Sequence, residues 1–360
     1  MGRVGCEACH ARLPVAPPRH PSVNTGPGWQ AWAMRRPFAL LAGVLLVGAF
    51  AAPASAADGD GNGDQGFTIK DSRIAESSGL AASRLHPGIY WTHNDSGDGP
   101  YIYAVDSGTG KTVARVTLSG IGAPRDTEAI SIGPGNQIYV GDIGDNLGGK
   151  WPYVWIYRLP EPKKLVDQTV RATQYVVKYT DGARNAESLV IDPKTGRAYI
   201  IDKNENGGHL YEGPAKLSTS GTNYFKPVAT VDLWATDAAI SPDDKQLAVR
   251  GYFGGIYYDW NGGRIKRKGR LNVPLQGQGE SITYTVDGSK LMYGSEGADS
   301  SVQAQDVPGG GGGSKSSSGG ASSSASGGSG GGMGGNLKVG ALAVAVAAAV
   351  VFGIRRLLRR

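Results

Sequence analysis

Between residues 67 and 306 the apolar positions fall in short runs rich in Val, Ile and Tyr. Gly, Asp, Asn and Pro separate them. Runs such as Ile138-Tyr-Val140, Ala198-Tyr-Ile-Ile201, Leu247-Ala-Val249 and Leu291-Met-Tyr293 read as strands. Asp192-Pro-Lys-Thr-Gly196 and Ser241-Pro-Asp-Asp244 read as turns. Short strands at even spacing with such turns indicate an all-β domain. No helical period is sustained in this region.

One pattern recurs: an acid, small residues, then an aliphatic. It appears at Glu76-Ser-Ser-Gly-Leu80, Glu128-Ala-Ile130, Glu187-Ser-Leu189, Asp237-Ala-Ala-Ile240 and Glu280-Ser-Ile282, with spacings of 52, 59, 50 and 43 residues. These spacings approach the period of propeller blades. Each copy continues with a turn, a second strand, a polar loop, a third strand and, in all but the last two, an evident fourth. Four strands per repeat predict a β-propeller. The count is five blades, or six if the long 128–187 repeat holds a degenerate one. The last repeat has no fourth strand of its own, and Phe67-Thr-Ile-Lys70 precedes the first acid. That segment is expected to complete the last blade and remove an exposed edge.

Composition changes the picture at both ends. From Pro308 to Gly335, 23 of 28 residues are Gly or Ser. Such a tract cannot bury enough apolar surface to offset its ordering entropy. Met34-Arg35-Arg36, the apolar run Phe38–Phe50 and Ala54-Ser55-Ala56 read as a secretory signal. Residues 1–56 are therefore leader and signal, with Met34 the natural start, and 57–66 a flexible mature N-terminus. Residues 337–354 are apolar apart from Lys338, whose stem can snorkel. They would form about 27 Å of helix, enough for a hydrocarbon core. The basic tail 355–360 stays in the cytoplasm by the positive-inside rule. The expected organisation is an exported 67–306 propeller on a 307–336 stalk, held to the cell membrane by a single C-terminal transmembrane helix, with the propeller extracellular.

The formal net charge of +6 belongs to these ends. Residues 57–306 hold 26 Lys+Arg against 30 Asp+Glu, so a nucleic-acid partner is not expected. The two cysteines, Cys6 and Cys9, lie before the signal, leaving no thiol nucleophile in the mature domain. Arg264-Ile-Lys-Arg-Lys-Gly-Arg270 reads as a solvated outer strand, or as a contact for anionic polymers or headgroups. Trp91, Trp151 and Trp155 read as blade packing or as sugar platforms.

In a propeller blade the start of the innermost strand and the loop after the second strand share a face. Glu76, Glu128, Glu187, Asp237 and Glu280 therefore approach the channel together. The loops beside them are polar: His93-Asn-Asp-Ser-Gly97, Gly141-Asp-Ile-Gly-Asp-Asn146, Asp202-Lys-Asn-Glu-Asn206, Arg250-Gly-Tyr252 and Gly294-Ser-Glu296. Converging carboxylates raise one another's pKa unless a proton or cation intervenes. An axial Ca²⁺ satisfies oxygen ligands in an irregular cage. The alternative is that the acids cap backbone amides and organise the blade turns. For acid–base chemistry without a nucleophile elbow, the candidates are His93, Asp95, Asp142 and Asp145.

Trp91 to Gly97 and Gly141 to Asn146 resemble motifs of secreted bacterial β-propeller proteins of unassigned activity. The order of Ser, Glu, Glu, Ser/Thr/Asp and Glu on successive repeats is similar to the calcium-activated nucleotidases (apyrases). That resemblance implies a five-bladed propeller with Ca²⁺ in the channel, its ligand positions falling on Ser78, Glu128, Glu187, the Thr236–Asp237 region and Glu280. Two functions remain open. One is a recognition module for an extracellular ligand such as a cell-wall polymer, small molecule or protein. The other is a metal-dependent hydrolase of phosphate esters working on the acidic face.

Overall fold

The fold is taken from a computed structural model that describes residues 65–309. The signal, the stalk beyond Gly309, the 337–354 span and the basic tail lie outside the described residues. Among the described residues no helix is long and apolar enough to cross a membrane.

The chain opens with β1 (Phe67–Thr68) and then builds four-stranded antiparallel meanders. The first comprises β2 (Ser77–Ala82), β3 (Ile89–Asn94), β4 (Tyr101–Asp106) and β5 (Thr112–Ser119). The second uses β6 (Thr127–Gly133), β7 (Gln137–Asp142) and β8 (Val154–Pro160), detours through β9 (Gln168–Arg171), and finishes with β10 (Thr173–Tyr179). The third is β11 (Ala186–Ile191), β12 (Ala198–Asp202), β13 (Gly208–Glu212) and β14 (Thr222–Val231). The fourth is β15 (Ala235–Ile240), β16 (Gln246–Gly251), β17 (Gly254–Asn261) and β18 (Arg264–Leu271). The last is β19 (Gly279–Tyr284), β20 (Lys290–Ser295) and β21 (Ser301–Asp306), completed by β1. The one helical turn among the described residues is the 3-10 segment Pro134–Asn136. The architecture is all-β and of β-propeller type.

The first strands β2, β6, β11, β15 and β19 pack against one another in that order, and β19 returns to β2. The N-terminal strand closes the last sheet: Phe67 pairs with Val302 and Thr68 with Ser301, antiparallel. Two outer edges are covered by parallel pairing, β5 by β9 and β10 by β14. The second and third meanders thereby join into one eight-stranded sheet. The outer edge left to β18 carries the basic run, where Arg267 and Lys268 pair with Asp232 and Asp259. Charge on an open edge discourages pairing with another chain.

The core consists of five seams, each between consecutive meanders. This explains why the strands read as apolar runs. In β4, Ile102 and Ala104 enter the seam with the second meander, while Tyr103 and Val105 enter the seam with the last. A strand buried on both faces needs apolar residues at every position. Trp91 is fully buried in the first seam and donates its indole N–H to Glu161 Oε1 at 2.9 Å.

Candidate functional site

Each innermost strand is irregular at one point. The register with the second strand slips at Ser78 in β2, Glu128 in β6, Glu187 in β11, Thr236 in β15 and Glu280 in β19. A β-bulge bends its strand and re-aims the extra side chain. The five bulged residues are no more than 3 % exposed. They carry hydroxyl, carboxylate, carboxylate, hydroxyl and carboxylate, so the donor set is all oxygen.

One pair of these side chains touches directly, and the others bond neighbouring groups. Ser78 Oγ donates to Glu128 Oε2 at 3.1 Å and lies 3.2 Å from the Glu128 carbonyl. Thr236 Oγ1 reaches the Gly279 carbonyl at 3.4 Å. Glu280 Oε1 accepts from Gln278 Nε2 at 3.1 Å. Glu187 Oε1 accepts from Lys203 Nζ, while its Oε2 is buried with no hydrogen-bond partner. Asp237 is different. Its carboxylate accepts the Ala238 amide and, across the seam, the Ile282 amide, both at 2.8 Å. It organises backbone, and Thr236 takes the equivalent place in the ring.

A second tier lies above the bulges. Asn94, Asp142, Asp202, Gly251 and Ser295 pair with the residue before each bulge. One residue further on come Asp95, Ile143, Lys203, Tyr252 and Glu296. Lys203 Nζ donates to Tyr252 Oη at 2.6 Å and sits 4.9 Å from its ring and 5.9 Å from that of Trp234. Asp95, Asp126 and Glu128 each bring a carboxylate oxygen within 4.8 Å of the others. The backbone at Gly144 passes so close that a Cβ there would lie 2.6 Å from the Asp126 carboxyl and 2.7 Å from Glu128 Oε1.

Burial raises the pKa of Glu128, with Asp95, Glu187 and Asp126 adding to the effect. Burial also raises Glu187, opposed by Lys203 and reinforced by Glu280. Glu280 rises for the same first reason, again opposed by Lys203. Asp126 is pushed up to about 7 by burial and by Asp95. Burial opposes the charge on Lys203, yet Glu187, Tyr252, Glu280 and Glu128 together hold the ammonium well above its ordinary pKa. Glu128 feels Glu187, Glu187 feels Glu280, and the Lys203 ammonium feels all three.

The acid–base candidates have distinct surroundings. His93 is fully buried; its Nδ1 bonds the Asn94 carbonyl at 2.9 Å, Nε2 has no partner, and burial lowers its pKa. Asp95 stands at the carboxylate cluster. Asp142 accepts the Arg125 and Asp126 amides and, at 2.5 Å, the Tyr157 hydroxyl. It fixes the segment that delivers Asp126. Asp145 accepts the Trp151 amide at 2.6 Å and orders its own loop. Arg125 lies 3.7 Å from the Trp155 ring centroid and 4.0 Å from that of Trp151, clamping the same segment from outside. The buried Arg250 donates to the Ser281 and Gly294 carbonyls at 2.8 and 2.7 Å and ties the fourth meander to the last. At the opposite end of the inner strands lies a small cavity whose lining includes Leu80, Ile130, Ile191 and Ile240 together with Arg84, Ser131 and Thr283.

No family model and no curated protein matches the chain. Among solved structures, it is similar to the soluble aldose sugar dehydrogenase of Escherichia coli in its apo form, at 13% identity, over 67% of this chain and 99% of that one, with a TM-score of 0.44. It is also similar to the PQQ-bound aldose sugar dehydrogenase of Streptomyces coelicolor, at 12% identity, over 67% and 99% of the two chains, with a TM-score of 0.38. Nothing of their chemistry passes to this chain from likeness at that level.

Proposed function

We propose that residues 67–306 form a closed five-bladed propeller whose channel holds one hard divalent cation, Ca²⁺, and that this module recognises an extracellular ligand at the cell surface. The observation that carries the reading is the bulge repeated at Ser78, Glu128, Glu187, Thr236 and Glu280. All-oxygen donors from five separate strands suit Ca²⁺, which accepts irregular cages, and are unsuited to metals that favour thiolate or imidazole. The buried, unpartnered Glu187 Oε2 supplies a free lone pair at the centre. Ser78, Glu128, Glu187, Thr236 and Glu280 would hold the ion, with Asp95 and Asp126 adjoining. The ion's chemistry there would be charge neutralisation: it would offset the burial and the mutual repulsion that otherwise lift the carboxylate pKa values. In the same reading the signal ending at Ala56 exports the domain, and the 337–354 span tethers it through a stalk of about 30 Å r.m.s. reach.

A second reading has its own observation. Asp126, raised to about 7 beside Asp95, is poised to accept a proton near neutral pH, as a general base must be. This favours hydrolysis of a phosphate ester at the acidic mouth. Melting the full-length chain with Ca²⁺, with Mg²⁺ and with chelator tests the first reading, which expects stabilisation by Ca²⁺ above that by Mg²⁺. Phosphate-ester turnover lost in Asp126→Asn would support the second, and absence of turnover in the calcium-loaded chain would remove it.

A further inference from the structure

The channel already contains one cation of its own. Lys203 stands one residue beyond the end of β12, at the position that Asp95 and Tyr252 occupy in other meanders. Its side chain is only 12 % exposed, and its ammonium bonds Glu187 Oε1 and Tyr252 Oη. The Trp234 and Tyr252 rings stand within cation–π range. Glu128 and Glu280 act on the same ammonium from other strands. A lysine buried for packing alone would be satisfied by one carboxylate. This one bonds a carboxylate and a phenol, and it feels the charge of Glu128 and Glu280 as well.

We propose that Lys203 is an intramolecular counter-ion that holds the channel carboxylates together when no metal is bound and competes with a divalent cation for them. The inference rests on the cation-binding reading above and adds to it a residue that sets the affinity. The acids acting on Lys203 are Glu187, Glu280 and Glu128, and Asp95 and Asp126 stand beside Glu128, so one ammonium is outnumbered and the channel stays open to a further cation. Its presence also places a positive charge beside any ion that enters. Removing it therefore has two effects of opposite sign. The metal-free protein loses a buried partner for Glu187, and an unpaired buried charge destabilises. The metal loses a repulsive neighbour, and its affinity rises. A repulsion between close charges in a partly buried site is worth at least about tenfold in affinity.

The test uses the full-length chain and Ca²⁺ itself. Calorimetric titration is made on wild type, Lys203→Met and Lys203→Gln, and melting is measured in chelator. The expected result is a lower melting temperature in chelator together with at least about tenfold tighter Ca²⁺ binding in both variants. Glu187→Gln added to Lys203→Met should recover much of the melting temperature, because the carboxylate left unpaired is then neutral. Equal or weaker Ca²⁺ binding by the lysine variants overturns the inference, even where wild type binds and the calcium reading stands. Binding by Lys203→Met but not by wild type supports the inference and overturns the calcium reading for the native chain. If neither binds, both fail. Should Lys203→Met not fold, Lys203→Gln, whose amide can still donate to Glu187, carries the comparison with the same expected direction in affinity.

Discussion

The Ser78 hydroxyl donates to Glu128 Oε2 at 3.1 Å, so bulged residues of neighbouring inner strands touch inside the channel. The contact exists because both strands are bulged at equivalent points, which turns side chains from separate repeats toward one another. Ser78→Ala removes this donor from a buried carboxylate. The expected cost is about 1–3 kcal/mol of metal-free stability, measured by chemical denaturation in chelator, with a larger loss when Ca²⁺ is present, because an ion ligand is removed as well. An equal loss in both conditions would show that the hydroxyl serves packing alone.

Stability without metal should fall as pH rises through neutrality. Asp126 titrates near 7 in the folded protein, against an unfolded value of about 3.9. Between those values the native state holds a proton that the unfolded chain has released, so stability declines with pH across the window and the full loss is present above it. His93 acts oppositely, since its lowered pKa favours the native state as the unfolded imidazole deprotonates near pH 6.5. The His93 contribution is common to wild type and Asp126→Asn, so comparing their melting in chelator between about pH 4 and about pH 8 isolates the carboxyl contribution. Wild type should lose stability over this range and Asp126→Asn should lose less. Parallel curves for the two proteins would contradict the assignment of the proton to Asp126.

Arg250 and Gly279 are coupled sterically. A Cβ at position 279 would lie 1.8 Å from Arg250 Nη2, so only glycine leaves the guanidinium its path to the Ser281 and Gly294 carbonyls. Gly279→Ala should cost about 1–3 kcal/mol by overpacking. The same change in an Arg250→Ala background should cost much less, giving a coupling energy of at least about 1 kcal/mol. Additive effects in that cycle would mean the backbone, and not the arginine, resists the methyl group.

Closure by the N-terminal strand is testable by deletion. Phe67 and Thr68 pair with Val302 and Ser301, and the Ile69 amide donates to the Ser300 carbonyl at 2.9 Å. Removing residues 67–70 uncovers the edge of β21 and empties part of the seam that Phe67 and Ile69 fill. The truncated chain should unfold at lower denaturant and self-associate, as exposed edges do. A monomer of undiminished stability would show that this pairing contributes nothing.

The strands, their grouping in fours and the closing segment were legible because seam-packed strands need apolar residues on both faces and turns need Gly, Asp or Pro. From the residues alone the ring was legible as a spacing of acids, and the resemblance to the nucleotidases added Ser78 and the Thr236–Asp237 region. Aligning acids puts Glu76 and Asp237 on the ring, whereas the bulges fall on Ser78 and Thr236. A bulge is a slip of register between two strands and leaves no mark on either strand alone. Asp126 reads as part of a loop because its role depends on Asp142 gathering the Arg125 and Asp126 amides. Lys203 is legible only as a member of the polar run Asp202-Lys-Asn-Glu-Asn206 beside the acids. What sets it apart is Glu187, Tyr252 and Trp234, each from a different part of the chain. The sequence signal was the excess of carboxylates, which called for a proton, a cation or backbone amides as partners and did not point to a lysine.

The most direct measurement is anomalous diffraction from crystals of the protein soaked with Tb³⁺, a Ca²⁺ analogue with a strong anomalous signal. The account predicts one dominant peak in the channel, within about 2.3–2.6 Å of carboxylate oxygens of Glu128, Glu187 and Glu280, and no such peak in Glu187→Gln. A channel without a peak, or peaks confined to surface carboxylates and unchanged by the substitution, would contradict it.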